Sequence, residues 1–293
     1  MDNKVEQTIR QIHSSDAIIL EGAISVLSAL SSDHSQIVKV IVKQDIDNRN
    51  SQKILTAAKI KNIEIEFFSP DELQEFEDRI NHTGIYSIGR THGGILAITL
   101  KRKFLSPHEL LSTLASISES VSIAIIEGIE DPYNLGYAAR ALYTQGIDGL
   151  ILPERDFGFS ESIIEKASTG TFSKMPVANF AADDKLDFIH LLKSENYKIY
   201  CIDKKAPANS KTKVSDIFNV KFANKTVFII GGEKRGISKD FLDHADEIVK
   251  IPYAKNFPHS LAAQTAATIV SYEIHRQRKN YTQKAPFANE VRE

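Results

Sequence analysis

The chain holds no tryptophan, two methionines and one cysteine among 293 residues. A lone thiol, Cys201, cannot close an internal disulfide, which excludes the small disulfide-stapled scaffolds and fits a reducing, cytoplasmic compartment. No run approaches the ~18 apolar residues of a membrane span. The start, MDNKVEQTIRQ, lacks a basic stretch followed by an apolar core, so no signal peptide is expected. Internal repeats and low-complexity tracts are missing as well. An excess of one charge is absent too: 36 Lys and Arg against 38 Asp and Glu leave −2. Residues 1–106 carry 13 basic and 14 acidic side chains, and the remainder 23 and 24. No segment is a basic domain, so a nucleic-acid partner must be met by a local patch. There is no HExxH, paired CxxC, GxSxG or GxGxxG, and the nine histidines do not cluster at metal-ligand spacing, so no metal site is expected.

What is present is alternation. Up to residue 100, a helical stretch broken at Gly22 leads to Ala23–Leu30, followed by the strand QIVKVIVK (36–43), a helix near 50–60 and the strand IEIEFF (63–68). Ser69-Pro70 opens an acidic helix as N-cap and N1. IYSIG (85–89) and ILAITL (95–100) read as strands around a turn at RTHGG. KRKFLSPHELLSTLASISES (101–120) reads as a basic connector and a helix opened by Ser106-Pro107, and divides residues 1–104 from 121–293. Beyond it come strands at 122–129, 149–153, 175–180, 198–203, 226–232 and 247–252, separated by helices, and a last helix from Ser260 to about Arg278. Near-continuous apolar strands at this spacing imply an α/β fold with a parallel sheet covered on both faces.

Ligands of open parallel sheets collect at the carboxyl ends of strands, where three loops fall. In EGIEDPYNLGYAARAL (127–142), Asp131-Pro132 forces a turn, Asn134 can cap the next helix and Gly136 permits close backbone approach. Arg140 lies in an otherwise apolar segment, where its charge needs a partner or an anionic ligand. In FIIGGEKRGIS (228–238), Gly231 and Gly232 follow a buried strand. The loop nearly matches GxxxxGK[ST], but Ile237 occupies the lysine position, so an ATP-binding phosphate loop fails at its charged residue. In KIPYAKNFPHSLAAQ (250–264), proline ends a strand and Ser260 can cap a helix of small residues. Each loop alone also admits a structural reading: a capped helix with a snorkelling arginine, an ordinary turn, a buried helix.

Together, DPYNLGYAAR, IIGGEKRGIS and IPY…SLAAQTAATIVSYEIHRQR resemble motifs one, two and three of the SpoU (TrmH-like) branch of SPOUT RNA methyltransferases. Every fixed position of D-P-x-N-x-G-x-x-x-R is matched, as are Gly231, Glu233, Gly236 and Ile237 of motif two. GRTHGGILAI (89–98) and the pattern before it resemble the family's smaller, ribosomal-protein-like RNA-binding domain. The resemblance implies a trefoil-knotted, homodimeric domain at 121–293 that transfers a methyl group from S-adenosylmethionine to a ribose 2′-hydroxyl of structured RNA, ribosomal or transfer RNA with the ribosomal favoured. It implies catalytic roles for Arg140, Asn134, Glu233 and Ser260, and donor contacts from Gly231, Gly232, Ile251, Pro252 and Leu261. His92, Lys101, Arg102 and Lys103 are the candidate RNA contacts. Motif three departs: Ala262 stands in place of an asparagine, and Gln264, two residues on, falls about 200° around a helix. That departure keeps a rival open, a non-catalytic RNA-binding relative.

Overall fold

The computed structural model describes residues 4–14, 17–84, 86, 88–155, 160–204, 212–232 and 234–278. The first half is built from α1 (Lys4–Ser14), β1 (Ala17–Glu21), α2 (Ala23–Leu30), β2 (Ile37–Lys43), α3 (Arg49–Ile60), β3 (Glu64–Phe68), α4 (Pro70–His82) and β4 (Ile95–Leu100). Its four strands form a mixed sheet, β1-β4-β2-β3, in which β2 and β3 run parallel and β4 runs antiparallel to both its neighbours.

The second half holds α5 (Pro107–Ile117), β5 (Val121–Glu127), α6 (Pro132–Thr144), β6 (Gly149–Pro153), α7 (Ser160–Ser168), α8 (Thr171–Lys174) and β7 (Val177–Phe180). It continues through α9 (Lys185–Ser194), β8 (Lys198–Ile202), β9 (Lys213–Asp216), β10 (Lys225–Gly231), α10 (Lys239–His244), β11 (Glu247–Lys250) and α11 (Ala263–Gln277). The seven strands order as β7-β6-β5-β10-β8-β11-β9, parallel at every ladder. Alternation along β5 shows why both faces are covered. Ala124 and Ile126 pack under α6 and α11, whereas Ile123 and Ile125 pack under α5, α9 and α10.

Local chemistry sets the helix starts. Ser69 Oγ accepts from the Glu72 amide (3.2 Å) while the Glu72 carboxylate accepts from the Ser69 amide (2.7 Å). Ser106 and Glu109 repeat this box. At Gly136, a Cβ would come within 2.6 Å of Ala167 Cβ and 2.8 Å of the Ile164 carbonyl; the glycine lets α6 lie directly on α7.

Four expectations need correction. Residues 17–21 are a strand rather than part of a helix: AIILE is buried on both faces of the first sheet, and so short an apolar run has no period to reveal it. Tyr86 and Ile88 lie outside any strand. Side chains hold that segment, with the Tyr86 hydroxyl on Ala17 O and the Ile88 amide on Asn81 Oδ1; residues 85 and 87 are outside the described set. The polar stretch after β8 contains β9, an exposed edge strand parallel to β11. Helix α11 begins at Ala263 with Ala262 as its uncapped N-cap, three residues beyond the expected start.

The two sheets meet along a charged seam. Lys166 on α7 pairs with Glu21 at the end of β1 (2.7 Å). The Arg102 guanidinium turns inward, donating to the carbonyls of Phe172 (2.6 Å) and Met175 and lying over the Phe172 ring. Its amide is held by the Glu161 carboxylate. Glu165, buried beside it, accepts from Ser173 Oγ (2.6 Å). Loss of water pushes the Glu161 carboxyl up to about 7 and the Arg102 guanidinium down to about 10. No helix among the described residues is long and apolar enough to cross a membrane.

Candidate active site

At the carboxyl ends of β8, β10 and β11, three adjacent parallel strands release their chains around a cavity of about 160 Å³. Its walls come from Ile202 to Lys204 after β8, Gly231, Gly232, Gly236 and Ile237 after β10, and Ile251, Tyr253, Ser260 and Leu261 after β11. Ala263 and Ala266, on the first turns of α11, complete it.

The glycine loop packs on itself. A Cβ on Gly231 would stand 2.3 Å from the Gly236 carbonyl carbon, and one on Gly232 would stand 2.5 Å from the Gly128 carbonyl oxygen. Gly232 and Gly236 exchange backbone hydrogen bonds (3.3 and 3.0 Å). Steric need here therefore begins with the chain's own turns, which leave main chain facing the cavity. The loop is also fastened to β5: Glu127 accepts from the Ser238 amide (2.8 Å) with one carboxylate oxygen and from Lys185 Nζ (2.7 Å) with the other. At the rim Lys234 pairs with Glu130 (2.6 Å) and holds that carboxyl below its ordinary range. Loops one and two thus lie side by side.

The third loop is held by residues that sequence reasoning passed over. Tyr253 Oη accepts from the Leu261 amide (2.9 Å). Lys204 Nζ donates to the His259 carbonyl and sits 4.7 Å from the centre of the Tyr253 ring. An aromatic residue directly after Ile251-Pro252 was the available signal.

Of the expected donor contacts, Gly231, Gly232, Ile251 and Leu261 line the cavity, and Pro252 lies between two lining residues without forming wall. Ser260 lines it also, but does not cap α11. Glu233 lies outside the described residues. Asn134 is not the cap of α6: Asp131 is, accepting from the amides of Tyr133 (2.7 Å) and Asn134 (3.3 Å). Asn134 instead reaches motif three, where Gln264 Nε2 donates to its Oδ1 at 3.0 Å. The 200° argument against Gln264 fails because Ala262 is extended (φ −58°, ψ 143°), not helical.

Arg140 is exposed. Its apolar neighbours Ala138, Ala139 and Leu142 face the core, while its own side chain faces water and makes no hydrogen bond or ion pair among the described residues. The partner that its charge was expected to need is not found among the described residues. Within one chain, Arg140 is not part of the cavity wall.

Two of the proposed RNA contacts are corrected. His92 is 8% exposed, its ring set between Glu77 (2.9 Å) and the Gly94 amide (3.0 Å), where it shapes the 89–94 turn. Arg102 is committed to the seam. Lys103 remains exposed and Lys101 is half-buried.

Comparison with known proteins agrees with this geometry. Residues 122–272 match the SpoU rRNA Methylase family. The chain belongs to that family. Residues 19–88 match the domain described as RNA 2′-O ribose methyltransferase substrate binding. A TrmH family tRNA/rRNA methyltransferase of Staphylococcus epidermidis is 26% identical over 268 residues, 92% of this chain and 99% of that one. Among solved structures, the SpoU methyltransferase AviRb of Streptomyces viridochromogenes, in complex with AdoMet, superposes with a TM-score of 0.68 at 18% identity, covering 94% of both chains. An AdoMet-bound rRNA methyltransferase from Sinorhizobium meliloti gives 0.69 at 16% identity, over 92% and 91%. The protein is a SpoU-family RNA 2′-O-ribose methyltransferase, and the non-catalytic rival is set aside.

Proposed function

We propose that this methyltransferase acts in the cytoplasm on structured ribosomal RNA, with residues 1–104 holding the RNA, 105–120 linking and 121–293 carrying the reaction. The observation that carries the site assignment is the cavity at the ends of β8, β10 and β11, joined to motif one through Gln264 and Asn134.

The residues present suit the donor. Ile230, Ile237, Ile251 and Leu261 offer apolar walls for a flat purine, and main chain at 231–232 faces the cavity. When bound, S-adenosylmethionine supplies a methyl group already activated by its sulfonium. What remains for the protein is to hold the 2′-oxygen in line and to ease the loss of its proton. A guanidinium has five N–H donors and no acceptor, so the role we assign to Arg140 is an electrostatic clamp on the developing oxyanion and the adjacent phosphate, the proton passing to solvent. Asn134 and Glu233 orient the ribose and Arg140, and Ser260 supports them.

Arg140 reaches a cavity in a homodimer. Support comes from the outer face of α6, where Tyr133 and Tyr137, each 50% exposed, precede Arg140 at helical spacing; Tyr272 of the adjoining α11 is 57% exposed. Two half-bare rings on the helix that carries the arginine, with a third exposed ring on the adjoining helix, suit the self-complementary patch that a two-fold contact requires. Transfer of tritiated methyl from S-adenosylmethionine to ribosomal and transfer RNA, each purified from cells lacking the protein, tests the assignment. Label should enter ribosomal RNA at ribose 2′ positions, and Arg140→Ala should lower turnover by roughly 10²–10³-fold with donor affinity unchanged. Wild-type turnover by Arg140→Ala would refute the clamp.

A further inference from the structure

None of the donor contacts expected from the resemblance carries a charge, yet S-adenosylmethionine ends in an amino acid whose carboxylate gives up water when it is bound. Among the described residues, the cavity wall holds one cation, Lys204, in the chain leaving β8. Its side chain is half-buried. The ammonium donates to the His259 carbonyl and stands 4.7 Å from the centre of the Tyr253 ring, so it is held against the third loop. Resting on the donor site proposed above, we propose that Lys204 binds the amino-acid carboxylate of S-adenosylmethionine.

Three observations support this. Lys204 makes no ion pair among the described residues. The other charged wall residue, Asp203, takes the Lys204 amide on Oδ1 (2.6 Å) rather than the ammonium. By contrast, Lys185 and Lys234 beside the glycine loop are each spent on a glutamate (2.7 and 2.6 Å). Secondly, an ammonium has three N–H donors, and a single carbonyl leaves donors for a carboxylate. Thirdly, the His259 carbonyl and the Tyr253 ring already localise the side chain, which reduces the rotamer entropy lost on binding. The same charge repels the sulfonium and the ammonium of the donor. Lys204 therefore orients the donor as well as holding it, with the carboxylate toward β8 and the third loop.

Two ligands separate recognition of the carboxylate from tethering of the loop. S-adenosylhomocysteine keeps the carboxylate, whereas 5′-methylthioadenosine keeps the adenosine and the thioether sulfur but lacks the amino acid. Both are titrated calorimetrically into the full chain, the weaker by displacement of the stronger. Lys204→Met should bind S-adenosylhomocysteine about tenfold more weakly and methylthioadenosine within about twofold of wild type. Its melting temperature should stay within about 2 °C of wild type. Removing a cation relieves an ammonium rather than weakening its binding, so the loss reads the carboxylate. Lys204→Arg keeps the charge and should hold S-adenosylhomocysteine to within about threefold of wild type. Added salt should weaken the wild type's grip on that ligand more than the Lys204→Met variant's. Wild-type affinity of Lys204→Met for S-adenosylhomocysteine would overturn the proposal, as would equal losses for both ligands, the mark of a mere tie to the third loop. If the wild-type chain bound neither compound, the donor-site reading would fall and this proposal with it, a result that the Lys204 variants alone could not produce.

Discussion

Arg102 and Arg140 are both singled out by sequence, and they end in opposite surroundings. Arg102 lies in the seam between the sheets, its guanidinium bonded to two carbonyls beside two buried carboxyls. Arg140 stands in water on the outer face of α6. The seam therefore holds the strongly displaced carboxyl of Glu161, while the catalytic rim is hydrated and its ion pair, Lys234–Glu130, is exposed. Displaced protonation is often a signpost to chemistry; here it marks the joint between the two sheets. Arg140, the proposed clamp, needs a second molecule, RNA or another copy of the chain, to lose its water.

The contrast can be broken or sharpened by substitution, starting at the seam. Arg102→Ala removes the guanidinium whose charge acts on both Glu161 and Glu165, and takes one donor from each of carbonyls 172 and 175. It should cost about 3 kcal/mol, the low end for a broken buried pair because both carboxyls can take up protons. Denaturant unfolding would show this, and turnover per folded molecule should stay within a few fold. Arg140→Ala should do the reverse: the large kinetic loss given above, with a melting temperature within about 1 °C of wild type. A large stability loss there would show that the exposed arginine is structural after all.

Glu161 supplies a pH signature. Its carboxyl titrates at about 7 in the fold against an ordinary 4.5. Between those values the unfolded chain ionises it while the folded protein keeps it protonated. The stabilisation is thus complete below about pH 4.5, declines as pH rises and is gone above about 7. Glu161→Gln should flatten that decline, adding on the order of 3 kcal/mol at pH 8 and nothing at pH 4. Melting curves across this range would check it; a slope unchanged by the substitution would place the titration elsewhere. Smallest of all, Lys234→Ala should shift the melting temperature by less than about 1 °C, since an exposed ion pair contributes little.

Most of the fold was legible because its signals are local. Ser69 and Ser106, each followed by proline and then by glutamate at the third helical position, mark helix starts unaided. The apolar runs of β5, β8 and β10 read as strands covered on both faces. What was not legible depends on partners distant in sequence. AIILE becomes β1 only by pairing with β4; β9 is held by an edge of β11 that composition does not announce. At the site, the glycines and Leu261 were legible through motif spacing. The inward turn of Arg102 was not, because a Lys-Arg-Lys run looks equally solvated at all three positions until Phe172 and Met175 present their carbonyls. Gln264 was misjudged by assuming helical geometry one turn too early.

The double anchoring of residues 231–238 has a consequence for traffic through the site. One end continues β10 and presses on Gly128; the other is bolted to Glu127 through the Ser238 amide. A segment pinned at both ends and closed by its own backbone bonds cannot swing aside as a door. The opposite wall is lighter, since residues 254–260 are exposed and its ties run through one tyrosine hydroxyl and one lysine. In the donor site proposed above, that lighter wall, tied by Tyr253 and Lys204, is therefore the side better able to give way to a ligand.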